Sequence, residues 1–203
     1  TKEEDFIEKV IGVHSHSYLM FFTNIGKVFM KKAYQIPEAS RTAKGTYMTN
    51  ILELEDGEKI TAMISVPEFN EEEYLIMVTK YGIIKKTLLS EYEYQRKGGK
   101  KALRLDDGDE LVFVMRTKGD SGLILATRHG YATRFDEKNV RAMGRVARGV
   151  RGMKFRVEGD YICGVAVVDE SKKLLTVTEN GFGKKTEFDD FREMKKRGGM
   201  GVY

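Results

Sequence analysis

Short apolar runs separated by polar, glycine-containing turns recur along the chain. Each of four such runs ends in the tetrad Thr-x-x-Gly and is followed by a shorter segment with basic residues. The tetrads occupy residues 23–26, 79–82, 127–130 and 178–181. A strand, a tight Gly-containing turn and a second strand form a β-hairpin, so the pattern predicts four hairpins.

An acidic-Gly-acidic turn lies between consecutive hairpins, at residues 56–58, 107–109 and 158–160. The turns lead into predicted strands at residues 60–66, 111–115 and 161–168. Short strands such as residues 51–54 and 102–105 are predicted before them. This order recurs about every 50 residues, a period typical of propeller-like blades. No window keeps a helical apolar stripe beyond about ten residues, so the prediction is an all-β chain of four-stranded repeats.

The repeats leave both ends of the chain open to interpretation. We place them within one domain, at about residues 1–40, 41–92, 93–140 and 141–191, with the start of another at 192–203. Residues 3–13 suit a strand as well as a helix because they are rich in β-branched side chains. A C-terminal strand that pairs with the first unit would close a ring of four blades. The alternative is a fragment of a longer array, which the absence of an initiator Met favours.

Composition and charge limit the classes of function. The 203 residues are 41% hydrophobic, enough for a core and too many for a disordered chain. The chain carries 35 basic and 31 acidic residues, so its net charge of +4 says little by itself. The positions of the charges must therefore decide whether a polyanion is the partner.

Basic residues concentrate in four Gly-containing segments that follow the hairpins, here named connectors 1 to 4: residues 40–45, 94–104, 141–156 and 195–199. Glycine lets backbone N–H groups approach a phosphate, and neighbouring Arg or Lys supplies the charge. Bending 20–30 base pairs costs on the order of 1–6 kcal/mol, which several connectors acting together can offset. The candidate phosphate contacts are Arg41, Lys44, Arg96, Lys97, Lys100, Lys101, Arg145, Arg148, Arg151, Lys195, Lys196 and Arg197. The alternative is that these loops only solvate the surface.

The sequence offers no catalytic, metal or cofactor motif. Cys163 lies in an apolar run, so we expect a buried, inert thiol and no intrachain disulfide. His14 and His16 would share one face of a strand, but a third metal ligand of matching spacing is missing. Neither a phosphate-binding P-loop nor a Gly-x-Ser-x-Gly nucleophile turn occurs. We therefore expect no enzyme activity from this chain alone, no cofactor and no metal. No apolar run approaches the ~18–20 residues that cross a bilayer, so no membrane partner is expected.

Several long stretches resemble the C-terminal domain of DNA gyrase A. They are residues 2–7, 26–39, 107–111, 140–144 and 149–152. The resemblance implies a β-pinwheel, a propeller-like ring of six blades that exchange strands, of which about four would be present. It also implies that the ring wraps duplex DNA around a basic perimeter and supports negative supercoiling by this type II topoisomerase. The implied partners are the rest of gyrase A and gyrase B, in the bacterial cytoplasm at the nucleoid.

The family's characteristic box, Gln-Arg-Arg-Gly-Gly-Lys-Gly, would lie upstream of Thr1. Residues 95–101 match it at five of seven positions but one or two blades later, so we interpret them as an equivalent connector. The sequence leaves two alternatives to a DNA-wrapping domain of gyrase. One is the matching C-terminal domain of topoisomerase IV, which selects bent or crossed DNA without full wrapping. The other is a propeller that binds proteins through apolar rim residues.

Overall fold

Four antiparallel hairpins organise the chain. The computed structural model describes residues 6–94 and 96–203. The strands are β1 (Tyr18–Thr23), β2 (Lys27–Lys32), β3 (Ile60–Val66), β4 (Tyr74–Thr79), β5 (Ile83–Leu88), β6 (Lys100–Lys101), β7 (Leu111–Thr117), β8 (Gly122–Thr127), β9 (Ala132–Asp136), β10 (Val150–Arg151), β11 (Ile162–Val167), β12 (Lys173–Val177) and β13 (Gly183–Glu187). One short helix, α1 (Met48–Ile51), precedes β3, and a 3-10 turn follows each hairpin. The all-β prediction is confirmed.

The Thr-x-x-Gly tetrad forms the hairpin turns for a physical reason that is visible in the second hairpin. The Thr79 hydroxyl accepts a hydrogen bond from the Ile83 amide at 3.1 Å, and the Gly82 amide donates to the Thr79 carbonyl at 3.1 Å. Gly82 has φ of 84°, a left-handed conformation that side chains disfavour. The first and fourth turns repeat the threonine hydroxyl bond.

Consecutive repeats exchange strands to complete each sheet. The sheets have the orders β3-β1-β2-β6, β10-β5-β4-β7, β11-β8-β9 and β12-β13. In the first sheet the hairpin β1–β2 pairs with β3, which follows the next acidic turn, and with the short β6 of connector 2. In the second sheet the hairpin β4–β5 pairs in the same way with β7 and with the short β10 of connector 3. Val202 forms the corresponding bridge to Ala132 at the third hairpin.

The sheets are buried on both faces where they stack. On β4, Leu75 and Met77 pack into a core cluster shared with the first sheet, whereas Ile76 and Val78 pack into a cluster shared with the third. This explains the nearly continuous apolar run of β4, since both faces of the strand are buried. The fourth hairpin is mostly exposed, because among the described residues no later sheet covers it.

The structure corrects several predicted strands. Residues 60–66 form β3 as predicted, β7 extends two residues further than expected, and β11 lies within 161–168. The predicted strand at 102–105 is replaced by the shorter β6, which ends just before it. The predicted strand at 51–54 is wrong, because α1 lies over its start and no earlier hairpin exists within the described residues to pair with it.

The ends of the chain also differ from the predictions. Val202 pairs with the third hairpin, so the C-terminal segment does not close a ring against the first unit. Residues 6–13 form neither strand nor helix, although Ile11 packs on a third core cluster on the outer face of the first sheet. Residues 3–5, also part of that prediction, lie outside the described residues. No helix in the described part of the chain is long and apolar enough to span a membrane.

Candidate nucleic-acid interface

Each connector begins after the 3-10 turn that ends a hairpin, and connectors 2 and 3 then pair with the preceding sheet. Connector 2 pairs through β6 with β2, and connector 3 pairs through β10 with β5. Close main-chain approach makes this possible. A Cβ on Gly149 would lie 2.6 Å from the Ile84 carbonyl oxygen, so a larger residue would separate connector 3 from its sheet.

Connectors 2 and 3 contact each other directly. The Arg104 amide donates to the Ala147 carbonyl at 3.2 Å, and the Arg145 guanidinium donates to the Lys101 carbonyl. The Arg145 amide also donates to the Glu91 carboxylate at 3.1 Å, next to the start of connector 2. Basic residues from the connectors of two repeats are therefore brought together.

Connectors 3 and 4 contact each other in the same manner. The Arg197 guanidinium donates to the Arg151 carbonyl at 2.8 Å, and the Gly198 amide donates to the Gly152 carbonyl at 2.8 Å. The Lys154 amide donates to the Gly199 carbonyl at 2.9 Å. Connectors 2, 3 and 4 thus form a continuous series joined by hydrogen bonds.

Connector 1 is not joined to this series by a hydrogen bond within the described residues. Arg41 and Lys44 are exposed, and the loop is closed by a bond from the Ala43 amide to the Ser40 carbonyl at 3.1 Å. The segment after it approaches connector 2, because residues 49–53 and the side chains of Arg96 and Lys97 line one open cavity of about 540 Å³.

The candidate residues differ in accessibility. Eight are exposed: Arg41, Lys44, Arg96, Lys97, Lys101, Arg151, Lys195 and Lys196. Lys100, Arg145, Arg148 and Arg197 are half-buried. The ammonium of Lys100 donates to the Tyr94 carbonyl at 2.6 Å, and partial burial followed by the charge of Arg145 lowers its pKa. The Arg151 guanidinium donates to the Tyr81 carbonyl at 2.9 Å. Gln95, part of the box-like segment, lies outside the described residues.

Arg148 forms an ion pair that the sequence did not predict. Its guanidinium donates two hydrogen bonds to the carboxylate of Asp106, the residue just before the acidic turn of the preceding repeat. These bonds lower the pKa of Asp106 and raise that of Arg148. Connector 3 contains no acid, but Asp106 is brought to it by the fold, so Arg148 is already neutralised.

The last acids of the second and third acidic turns have a structural role. Asp109 accepts hydrogen bonds from the amides of Tyr81 and Glu110, and Asp160 accepts them from the amides of His129 and Tyr161. Each acidic turn is thereby fixed to the preceding hairpin turn. Although burial acts to raise it, hydrogen bonds from the His129 side chain and from the amides of Tyr161 and His129 hold the pKa of Asp160 below its ordinary value.

Two expectations about single residues are wrong. Cys163 is exposed rather than buried, because an irregularity between Ile162 and Gly164 in β11 interrupts the inward alternation. Partial desolvation and the charge of Asp160 still raise the pKa of its thiol. His14 and His16 do not share a strand face, since this segment is a turn. No cluster of three metal-ligating side chains occurs among the residues described by the structure.

Sequence reasoning missed Lys85, which is completely buried in β5. Lys85 lies in the short segment with basic residues that follows the second tetrad. Alternation along the strand gives no signal for this, because residues 83–87 of β5 are all buried between neighbouring sheets. Its ammonium donates to the Ala102 carbonyl at 2.6 Å, to the Arg145 carbonyl, and to the Gly144 carbonyl at 3.4 Å.

Comparisons with known proteins identify the family to which this fold belongs. A family model described as "DNA gyrase C-terminal domain, beta-propeller" matches four segments, residues 17–67, 73–118, 123–169 and 172–202. The DNA gyrase A protein of Staphylococcus epidermidis is 40% identical over 205 residues, which cover 100% of this chain and 23% of that protein. The DNA gyrase A protein of Clostridium acetobutylicum is 52% identical over 152 residues, 75% of this chain and 18% of that protein.

Two solved structures are also similar. The C-terminal domain of DNA topoisomerase IV has a TM-score of 0.83 and 31% identity, and the similarity covers 93% of this chain and 58% of that one. The DNA gyrase A C-terminal domain has a TM-score of 0.78 and 29% identity, with coverage of 94% and 60%. The chain thus spans about a quarter of the curated relatives' length. Because the family model matches most of its residues, the chain belongs to the family of DNA gyrase C-terminal domains that form a beta-propeller.

Proposed function

We propose that this chain binds duplex DNA without strong sequence preference along its basic connectors and bends or wraps it. The observation that carries the proposal is the continuous series of connectors 2, 3 and 4, joined by bonds such as those from Arg145 to Lys101 and from Arg197 to Arg151. Connector 1 lies before this series in the chain. Membership of the gyrase C-terminal family supports the same function.

The binding mechanism is electrostatic. Exposed Lys and Arg side chains displace counterions from phosphates, and the glycines allow main-chain N–H groups to approach the same oxygens. Connectors fixed to consecutive sheets hold these cations at set separations, so a duplex that contacts all of them must follow their arrangement. Such a contact set stabilises bent DNA, because each connector contributes part of the bending free energy.

In the cell, we propose that the chain acts as the DNA-wrapping part of gyrase A. Its partners would be the remainder of gyrase A and gyrase B, in the cytoplasm at the nucleoid. The catalytic groups for strand passage would lie in those other parts, and this chain would contribute the geometry of the bound DNA. Full-length relatives named as DNA gyrase support this placement.

The salt dependence of binding tests the proposal. If each of the eight exposed candidates meets one phosphate, the slope of log K against log salt concentration reaches about −7 for a long duplex. Lys101→Gln should make the slope less negative by about 0.9 and weaken binding equally across sequences. Lys59→Gln is the matched control: it removes the same charge from an exposed lysine next to the acidic turn. Equal slopes for both variants, or binding independent of salt, would contradict the proposal.

A second candidate function is supported by the high TM-score of the topoisomerase IV domain. Here the chain would select bent or crossed DNA without wrapping it. Relaxing a plasmid with the chain bound separates the two: a handed change in linking number supports wrapping, and binding without such a change supports selection. A protein-binding propeller would instead give no DNA shift at moderate salt, and its binding would depend on exposed apolar residues.

A further inference from the structure

The buried amino group of Lys85 joins two of the proposed DNA-binding connectors. Its Nζ lies within hydrogen-bond distance of the Ala102 carbonyl of connector 2 and the Gly144 and Arg145 carbonyls of connector 3. The side chain has no exposed surface, so it cannot contact DNA itself. A buried ammonium is tolerated only when its donors are satisfied, and three carbonyl oxygens match its three N–H groups.

Among the four described hairpins, a buried lysine at the position of Lys85 is found in the second. The residues three positions after the turn glycine in the other hairpins are Phe29, Thr133 and Lys184. Phe29 packs in an apolar cluster, and Lys184 is exposed on the fourth hairpin. Phe29 and Thr133 are buried as well, so the repeat accounts for burial at this position but not for a lysine there. The three acceptors of Lys85 all belong to connectors.

We propose that Lys85 is a positioning residue that sets the register between connectors 2 and 3, and through it the path of bound DNA. This inference rests on the proposed function. The surrounding contacts fit the role, because the Arg145 guanidinium donates to the neighbouring Lys101 carbonyl and the Tyr92 hydroxyl donates to the same Ala102 carbonyl at 3.0 Å. A neutral amine has two N–H donors, so loss of the proton leaves one of the three carbonyls without its donor.

The protonation of Lys85 is set by its surroundings. Burial, and after it the charge of Arg145 on connector 3, lower the pKa of Lys85 to about 7, while Glu91 in the 3-10 turn before connector 2 acts in the opposite direction. Tyr92, in the same turn, is the other titratable group in contact, and burial raises its pKa well above the ordinary value. The junction between the connectors therefore changes its hydrogen bonding as pH rises through neutrality.

Lys85→Met tests the proposal, since it keeps an unbranched chain of similar length and removes the donors. We expect hydrogen exchange at the Arg104 amide, which bridges to Ala147, to become about five- to tenfold faster. We expect the linking-number change per bound chain to fall. The wild-type chain should lose part of this change between about pH 6.5 and 8.5, on either side of the pKa of Lys85, and the variant should show no such loss. Tyr92→Phe is the control, because it removes a hydroxyl that donates to the Ala102 carbonyl of connector 2 while the Lys85 amino group is kept.

The outcomes separate this inference from the proposed function. If the wild-type chain does not bind DNA, the proposed function fails, and faster exchange at Arg104 still supports the register role. If the wild-type chain binds DNA and Lys85→Met has the same exchange, linking-number change and pH profile, the positioning role is refuted. Urea unfolding shows whether the variant folds. A purely structural role is indicated if Lys85→Met lowers stability while the DNA readouts and the exchange at Arg104 match those of Tyr92→Phe.

Discussion

Asp106→Asn should strengthen DNA binding by releasing Arg148. In the wild-type structure the Asp106 carboxylate accepts two hydrogen bonds from the Arg148 guanidinium, so this cation is unavailable to a phosphate. Its partner keeps the pKa of Asp106 below the usual range, so the pair stays ionised at neutral and mildly acidic pH. The amide of asparagine keeps the size of the side chain and removes the competing charge.

The size of the expected change in salt dependence follows from counterion release. One additional phosphate contact makes the slope of log K against log salt concentration more negative by about 0.9. Between about 50 and 200 mM salt, the affinity of the variant should therefore fall about three- to fourfold more than that of the wild-type chain. Fluorescence anisotropy with a labelled duplex across this range measures both slopes. The fold should be preserved, since exposed ion pairs contribute little to stability.

Asp107→Asn is the matched control. Asp107 is the next residue, is exposed, and forms no ion pair within the described residues, yet its substitution changes the net charge by the same amount. If binding depends only on overall charge, the two variants will have equal slopes, and the argument that Arg148 is held back from DNA is refuted. A steeper slope for Asp106→Asn alone supports it.

Two further predictions concern the packing that holds the connectors. Gly82→Ala should lower the free energy of unfolding by about 1–3 kcal/mol more than Gly108→Ala does. Both glycines have positive φ, but only a Cβ on Gly82 would lie 2.7 Å from a carbonyl oxygen, that of Met153. Equal urea midpoints for the two variants would contradict this. Glu137→Gln should destabilise the fold by about 3–5 kcal/mol, because the buried Lys86 ammonium, 3.4 Å from that carboxylate, would lose its counter-charge; a loss below about 1 kcal/mol in urea unfolding would contradict it.

The hairpins could be predicted from the sequence because their determinants are local. The threonine acceptor and the glycine with positive φ lie in one tetrad, and the donor is the next residue, as in the bond from Ile83 to Thr79. The strand after each acidic turn was also predicted, as β3 shows with its observed bounds. Short exchanged strands such as β6 were placed less well, because two residues carry little periodicity and their pairing partner lies about 70 residues earlier in the chain.

The details of the candidate interface depend on contacts between repeats, which the spacing of residues does not give. Acid-free connectors suggested that all twelve cations are available, but the fold brings Asp106 against Arg148 across 42 residues of sequence. Lys85 shows the reverse error. Its position in a basic segment suggests surface charge, but the side chain is buried and its amino group joins two connectors. A count of basic residues therefore overestimates how many cations are available to phosphates. It also overlooks cations, such as that of Lys85, that hold the connectors in place.

The slope of log K against log salt concentration depends on how many cations are available to phosphates, whereas the linking-number change depends on how the connectors are positioned. Asp106→Asn should change mainly the slope and Lys85→Met mainly the linking number, and a single variant that altered both equally would show that charge and geometry are not separable in this interface.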